Sequence, residues 1–265
     1  MKWIAKGSCI RGAAHIANNM PCQDAIMLNS GKEYIIACVA DGHGSSLSKY
    51  SDDGSKIATE VVNNYITAVM SETDDMYEYL RTNKELHIPK KVDAIWKEEI
   101  LKFHKEKNRE ECDKQDCYKM YGTTLLTIFV TERFIFAMQI GDGSILYADQ
   151  QGNTDYLIQI EKLLGTETHS LCLKDSWKYF KSVLIKISEE ELKHMDVPKI
   201  LILSTDGYEN SFESESDFLA VGADYLNIIK QNGIDKVDAN LENWLKNTSE
   251  DGSGDDISVV LIYRK

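Results

Sequence analysis

The sequence predicts an α+β fold in which antiparallel sheets are covered by helices. Three observations carry this. Runs rich in β-branched and aromatic residues dominate both ends of the chain, and the helical patterns come in blocks instead of alternating strand by strand. The third is size and balance. A chain of 265 residues, 43% hydrophobic and 28% charged, can bury a full core of ordinary globular composition. No internal repeat or long low-complexity linker divides it, so 1–265 reads as a single domain.

A first strand near Trp3 to Ile10 leads into a loop of small and polar residues, from Arg11-Gly12-Ala13-Ala14-His15 to Pro21-Cys22-Gln23-Asp24. A second strand over 25–28 turns at Asn29-Ser30-Gly31-Lys32 into the run Tyr34–Ala40, so the two form a hairpin. Apart from one tyrosine hydroxyl that run is apolar, as in a buried strand, and it stops on Asp41-Gly42-His43-Gly44. Ile57, Val61, Val62, Tyr65, Ile66 and Val69 fall at helical spacing in a helix over about 48–70, with Gly54 making its first turns irregular. Residues 71–118 are rich in Lys and Glu and predict two exposed helices around an Ile88-Pro89 break. Strands return over 122–130 and 133–140, joined by Thr131-Glu132, and again over 145–148, 182–187 and 199–203. Helices over about 214–231 and 235–247 precede a closing strand at 257–263.

Lys plus Arg number 30 against 43 Asp plus Glu, a net charge of −13, and no basic patch stands out for a nucleic acid. The carboxylate surplus suits divalent cations, or simply a soluble acidic surface. No run approaches the roughly 18 apolar residues of a membrane span. The segment Met1-Lys2-Trp3-Ile4-Ala5-Lys6-Gly7 has no long apolar stretch of a secretory signal. The six cysteines, Cys9, Cys22, Cys38, Cys112, Cys117 and Cys172, include no C-x-x-C and fit reduced thiols in a cytoplasmic protein. Cys112 and Cys117 flank a charged stretch without nearby histidines, which favours two unpaired thiols over a zinc site.

Asp41, Asp142, Asp206 and Asp255 each stand at the end of, or just before, a buried strand beside Gly or another Asp, and Asp24 is a fifth without the glycine. Singly, each is a turn; Asp142-Gly143 between apolar strands is a strong hairpin signal. Together they gather like charges at one edge, which calls for cations. Hard oxygen ligands without a His or Cys cluster point to Mg²⁺ or Mn²⁺. Two such ions about 4 Å apart can activate a bridging water and hold a phosphoryl group for in-line attack.

Cys22-Gln23-Asp24-Ala25, Val39-Ala40-Asp41-Gly42-His43-Gly44, Gly122-Thr123-Thr124-Leu125, Gly141-Asp142-Gly143-Ser144, Ser204-Thr205-Asp206-Gly207 and Asp255-Asp256-Ile257-Ser258 resemble the ordered motif set of the PP2C-type metal-dependent serine/threonine phosphatases. The resemblance spans nearly the whole chain, and Gly12-Ala13-Ala14-His15 with Pro21-Cys22-Gln23-Asp24 is similar to a bacterial branch. It implies an αββα sandwich with a binuclear Mg²⁺ or Mn²⁺ centre. By motif, Asp41 would bridge both metals, the Gly42 carbonyl would help hold one, and Asp206 and Asp255 would complete the other. Asp24 would act through metal-bound waters, Asp142 with Asp206 would hold a weaker third ion, and His43 would be the general acid.

The implied activity is hydrolysis of phosphoserine or phosphothreonine by direct attack of a metal-bridging hydroxide. A phosphorylated protein is the expected partner, with a cognate kinase or its targets, and a monomer the expected state, with no nucleic acid or membrane. Three features depart from the family pattern. The arginine that many members carry shortly before the first motif aspartate is replaced by Asn18-Asn19-Met20, which leaves Arg11 or His15 to meet the phosphate. Either is equally readable as an ordinary loop residue. Asp256 stands where asparagine is commoner, and 71–118 reads as a partly lineage-specific surface. The missing arginine gives a second reading, a non-catalytic phosphoprotein-binding regulatory module. A third, a two-metal nuclease or phosphodiesterase, is disfavoured by the acidic surface and the motif order.

Overall fold

A computed structural model describes residues 2–160, 168–188 and 197–265. Its strands are β1 (Trp3–Ile10), β2 (Ala25–Ser30), β3 (Tyr34–Ala40), β4 (Leu125–Thr131), β5 (Phe134–Ile140), β6 (Ser144–Ala148), β7 (Thr154–Tyr156), β8 (Lys181–Lys186), β9 (Ile200–Ser204) and β10 (Ile257–Arg264). They form two five-stranded sheets, one in the order β1-β10-β9-β6-β7 and the other β2-β3-β4-β5-β8. Every pairing is antiparallel. The helices among the described residues are α1 (Ala13–Ala17), α2 (Ser51–Glu72), α3 (Met76–Asn83), α4 (His87–Glu106), α5 (Lys114–Met120), α6 (Asp206–Glu209), α7 (Glu215–Asn232) and α8 (Ile234–Asp251).

The period-two alternation of strand side chains builds the layers. Ile35, Ala37 and Val39 of β3 point between the sheets with Leu126, Ile128, Ile145, Leu203 and Val260. Ile36, Cys38 and Ala40, one residue out of phase, face α2 and α4. Leu146, Ile202, Val259 and Leu261 face α7 and α8 on the other side. Strands covered on both faces have no polar side to show, which is why they are apolar runs without polar alternation. The result is the expected αββα sandwich.

Several elements differ from the sequence expectation. The loop after β1 contains the short helix α1. Helix α2 runs without irregularity through Gly54, because this glycine lets the helix press against the backbone at Tyr121. A Cβ there would lie 2.0 Å from the Tyr121 carbonyl oxygen, and the Gly54 carbonyl accepts from Trp96 Nε1 at 3.1 Å. We expect Gly54→Ala to cost about 1–3 kcal/mol, read as a melting temperature lowered by about 5 °C for a chain of this size. An unchanged melting temperature would contradict this packing.

Residues 71–118 do not form a purely exposed surface. Leu80, Ile88, Val92, Trp96 and Ile100 are all buried against the β2-β3-β4-β5-β8 sheet. Pro89 lies inside the first turn of α4, where backbone N–H groups have no helical partner to lose. A third helix, α5, was not anticipated; Asp113 starts it by accepting from the N–H groups of Gln115 and Asp116. Asp142-Gly143 is no hairpin, since β5 and β6 belong to different sheets and the turn carries the chain between them. Among the described residues, no helix is long and apolar enough to cross a membrane.

Candidate metal centre

Antiparallel register puts Asp24, just before β2, at the same end as Asp41, just after β3, because Ala25 pairs with Ala40. In the other sheet, Ser204 at the end of β9 pairs with Val259 near the start of β10 and with Ser144 at the start of β6. Asp142, Asp206 and Asp255 therefore emerge at one end as well. Each acid is fixed by neighbours distant in sequence. The Asp41 N–H donates to Thr124 Oγ1 at 3.0 Å, while its carbonyl accepts from the Thr124 N–H and Thr123 Oγ1, each at 2.9 Å. Asp24 is buried, and its Oδ2 accepts from Thr205 Oγ1 at 2.8 Å. That hydroxyl, whose bond to Asp24 joins the two sheets across the site, in turn accepts from the Ser258 N–H at 3.0 Å. Asp206 opens α6 and its Oδ2 accepts from Asn210 Nδ2 at 3.0 Å. Thr168 donates its hydroxyl to Asp142 Oδ2.

The Gly42 N–H donates to the Gln23 carbonyl at 3.1 Å. A Cβ at Gly42 would lie 2.6 Å from that carbonyl oxygen and 2.7 Å from that of Ser51, so only glycine lets the three segments meet. His43 donates its backbone N–H to the Gly122 carbonyl at 3.0 Å, and its own carbonyl accepts from Gln23 Nε2 at 3.0 Å and Ser51 Oγ at 2.9 Å.

The charges acting most strongly on these acids are themselves acidic. Burial, then Asp24, Asp206 and Asp255, hold the Asp41 carboxyl well above the usual carboxylate range. Burial is also the main cause of the raised values at Asp24 and Asp206. Divalent cations would remove this penalty, and an all-oxygen donor set fits Mg²⁺ or Mn²⁺. The donors do not converge on a single point. Among the described residues, only His104, Cys112 and Cys117 bring three His, Cys, Asp or Glu ligand atoms within 4.8 Å of one another.

That His104 cluster corrects the expectation that Cys112 and Cys117 lack a nearby histidine. His104 Nε2 lies 3.6 Å from Cys112 Sγ but donates to the Glu110 carbonyl at 2.7 Å, leaving Nδ1 to accept from the Tyr121 hydroxyl at 3.2 Å. Both ring nitrogens are committed within the protein, so this is a satisfied buried histidine beside two free thiols.

A protein-family model, Protein phosphatase 2C, matches residues 11–246. The chain belongs to the protein phosphatase 2C family. Its fold is similar to that of the S. agalactiae serine/threonine phosphatase, at 16% identity and a TM-score of 0.64 over all of both chains. It is also similar to the catalytic domain of the serine/threonine protein phosphatase PstP in complex with two manganese ions. There the identity is 13% and the TM-score 0.59, over 98% of this chain and 97% of that one. RsbX in complex with magnesium gives 15% and 0.54, over 98% and 94%. At such identities the likeness is one of fold. No curated protein matches in sequence.

Within this phosphatase 2C fold, Asp24, Asp41, Gly42, His43, Asp142, Asp206 and Asp255 all come to one end. Arg11 and His15 lie beside them on the segment after β1. Arg11 reaches the Ile16 carbonyl at 3.5 Å, and its buried Nε has no hydrogen-bond partner among the described residues. His15 is turned inward, with Nδ1 2.9 Å from Asp256 Oδ2 and Nε2 3.5 Å from Asp255 Oδ1. Burial lowers the His43 pKa below its ordinary value, with Asp142 opposing. Sequence reasoning missed the supporting roles of Thr123, Thr124, Thr205 and Asp256. The only signal was a hydroxyl or second carboxylate beside each motif acid.

Proposed function

We propose that the chain is a Mg²⁺- or Mn²⁺-dependent phosphatase that hydrolyses phosphoserine and phosphothreonine in proteins. The observation that carries this reading is the group of aspartates drawn from both sheets, whose strongest neighbouring charges are negative. Such a group is costly in a folded protein unless cations hold it together. Two ions, when bound, would supply an activated water and offset charge on the phosphoryl oxygens.

Asp24, Asp41, the Gly42 carbonyl, Asp206 and Asp255 are the residues that would hold the pair, with Asp142 joining Asp206 at a third. The hydroxyls of Thr123, Thr124 and Thr205 keep Asp41 and Asp24 in place without competing as charged groups. His43 serves the departing serine or threonine oxygen. Burial biases its ring toward the neutral form, and a proton taken from solvent as a dianionic phosphate arrives, since a nearby anion favours imidazolium, would then pass to the leaving alkoxide. Arg11, with its unpartnered Nε, would supply the phosphate contact that the family's missing arginine would make. The substrate is the product of a protein kinase, and a cytoplasmic monomer is the simplest setting.

The test is turnover of a phosphothreonine peptide and of p-nitrophenyl phosphate with Mn²⁺ and with EDTA. Turnover is expected only with the metal; equal turnover in EDTA would overturn the reading. Arg11→Ala should raise KM about 10–100-fold, as for a charged hydrogen bond of roughly 1.5–3 kcal/mol, with kcat changing less. An unchanged KM would remove Arg11 from the phosphate.

A further inference from the structure

We propose that Asp256 and His15 are a positioning pair for the metal centre. In this role Asp256 straps the segment 12–23 to the strand carrying Asp255, and His15 lies against Asp255 and makes no contact with the phosphate. The proposal rests on the metal-centre reading above.

Asp256 is buried, 3% exposed, and its two oxygens serve two distant backbone groups. Oδ1 accepts from the Gly12 N–H at 2.7 Å and Oδ2 from the Gln23 N–H at 2.6 Å. Gly12 opens the segment that holds α1, and Gln23 ends it immediately before Asp24. One carboxylate thus closes the segment at both ends. Asparagine offers only one acceptor oxygen, and its NH₂ would face a backbone donor. This accounts for an aspartate at a position where the family pattern leads one to expect asparagine.

The rest of the segment is bound to the same stretch. The Ala13 N–H donates to Ser249 Oγ at 3.1 Å and the Ala14 N–H to the Gly254 carbonyl at 2.8 Å. Ser249 Oγ donates to the Asp255 carbonyl at 2.8 Å, and a Cβ on Gly12 would lie 2.2 Å from the Asp255 carbonyl carbon.

The His15 side chain is 14% exposed, with Nδ1 2.9 Å from Asp256 Oδ2 and Nε2 3.5 Å from Asp255 Oδ1. Its Nδ1 makes no aligned hydrogen bond, so packing rather than a directed bond sets the ring beside the two carboxylates. With a carboxylate beside each ring nitrogen, a phosphate dianion would have to approach two acids to reach the ring. Loss of either partner would free Asp255 on one flank of the site and Asp24, through Gln23, on the other. Removing such outer partners of metal ligands typically weakens metal binding about 10–100-fold.

The experiment is Mn²⁺ calorimetry on wild type, His15→Gln, Asp256→Asn and the double variant, with phosphopeptide kinetics at limiting and saturating Mn²⁺. The proposal expects about 10–100-fold weaker Mn²⁺ binding in each single variant, with the double falling short of the product because the two residues act on each other. It also expects kcat to be restored by excess Mn²⁺ and KM for the peptide to stay at the wild-type value. His15→Gln, which leaves the buried strap intact, decides the matter if Asp256→Asn fails to fold. Wild-type Mn²⁺ affinity in His15→Gln, or a raised KM at saturating Mn²⁺, overturns the pair and places His15 on the phosphate or nowhere in the site. A wild type that binds no Mn²⁺ overturns the metal-centre reading and the pair together.

Discussion

Asp41→Asn is expected to lower Mn²⁺-dependent phosphatase turnover by about a thousandfold or more, equal to about 4 kcal/mol of transition-state stabilisation. Asp41 is the acid on which the others act: Asp24, Asp206 and Asp255 all raise its pKa. Its backbone is held by three hydrogen bonds with Thr123 and Thr124, so the amide variant should keep its place while losing the charge that draws cations. A loss of activity with an unaltered circular dichroism spectrum would therefore report on the chemistry and not on folding. Turnover within tenfold of wild type would remove Asp41 from the centre.

The second large effect concerns stability. Asp24, Asp41 and Asp206 have folded-state pKa values raised above the ordinary aspartate value of 3.8. The unfolded chain therefore binds fewer protons than the native one over the interval between those values. Stability from these groups is complete below 3.8 and is lost as pH climbs through the raised values. The metal-free protein should then melt lower at pH 7.5 than at pH 5.5, and Asp41→Asn should flatten that slope. Mn²⁺ at one hundred times its dissociation constant adds about 2.7 kcal/mol, or roughly 5–10 °C at about 2–4 °C per kcal/mol. Differential scanning calorimetry across pH, with Mn²⁺ and with EDTA, measures all three. A metal-free melting temperature that rises from pH 5.5 to 7.5 with the same slope in Asp41→Asn would count against a strained carboxylate cluster.

The two predictions share a cause. A site that gathers acids for cations is destabilising until they arrive, and the same carboxylate both limits metal-free stability and enables chemistry. The strap at Asp256 belongs to this balance, since its two backbone donors offset the desolvation of one more buried charge.

Much of the fold was legible because strands and helices leave periodic marks. The run Tyr34–Ala40 is continuous apolar sequence because Ile35 faces one layer and Ile36 the other. Irregular structure left weaker marks. Helix α1 has little apolar periodicity and depends on acceptors from Ser249, Gly254 and Asp256. The charged stretch around α3 and α4 looked like surface because its polar residues outnumber the buried stripe of Leu80, Val92, Trp96 and Ile100. At Asp142-Gly143 local turn chemistry was read correctly, but whether the next strand folds back or crosses to the other sheet is a matter of packing far from the turn.

The sequence alone determined the strands other than β7, the acids at their ends and the family's motifs, because each is a local property of a few adjacent residues. Tertiary structure decided that Thr205 holds Asp24, that burial and like charges hold Asp41 above the usual carboxylate range, and that His15 faces Asp255 and Asp256. Those outcomes depend on residues such as Gly12 and Asp256, or Asp24 and Thr205, that are far apart in the chain. Only antiparallel register and the stacking of two sheets bring them within hydrogen-bond reach.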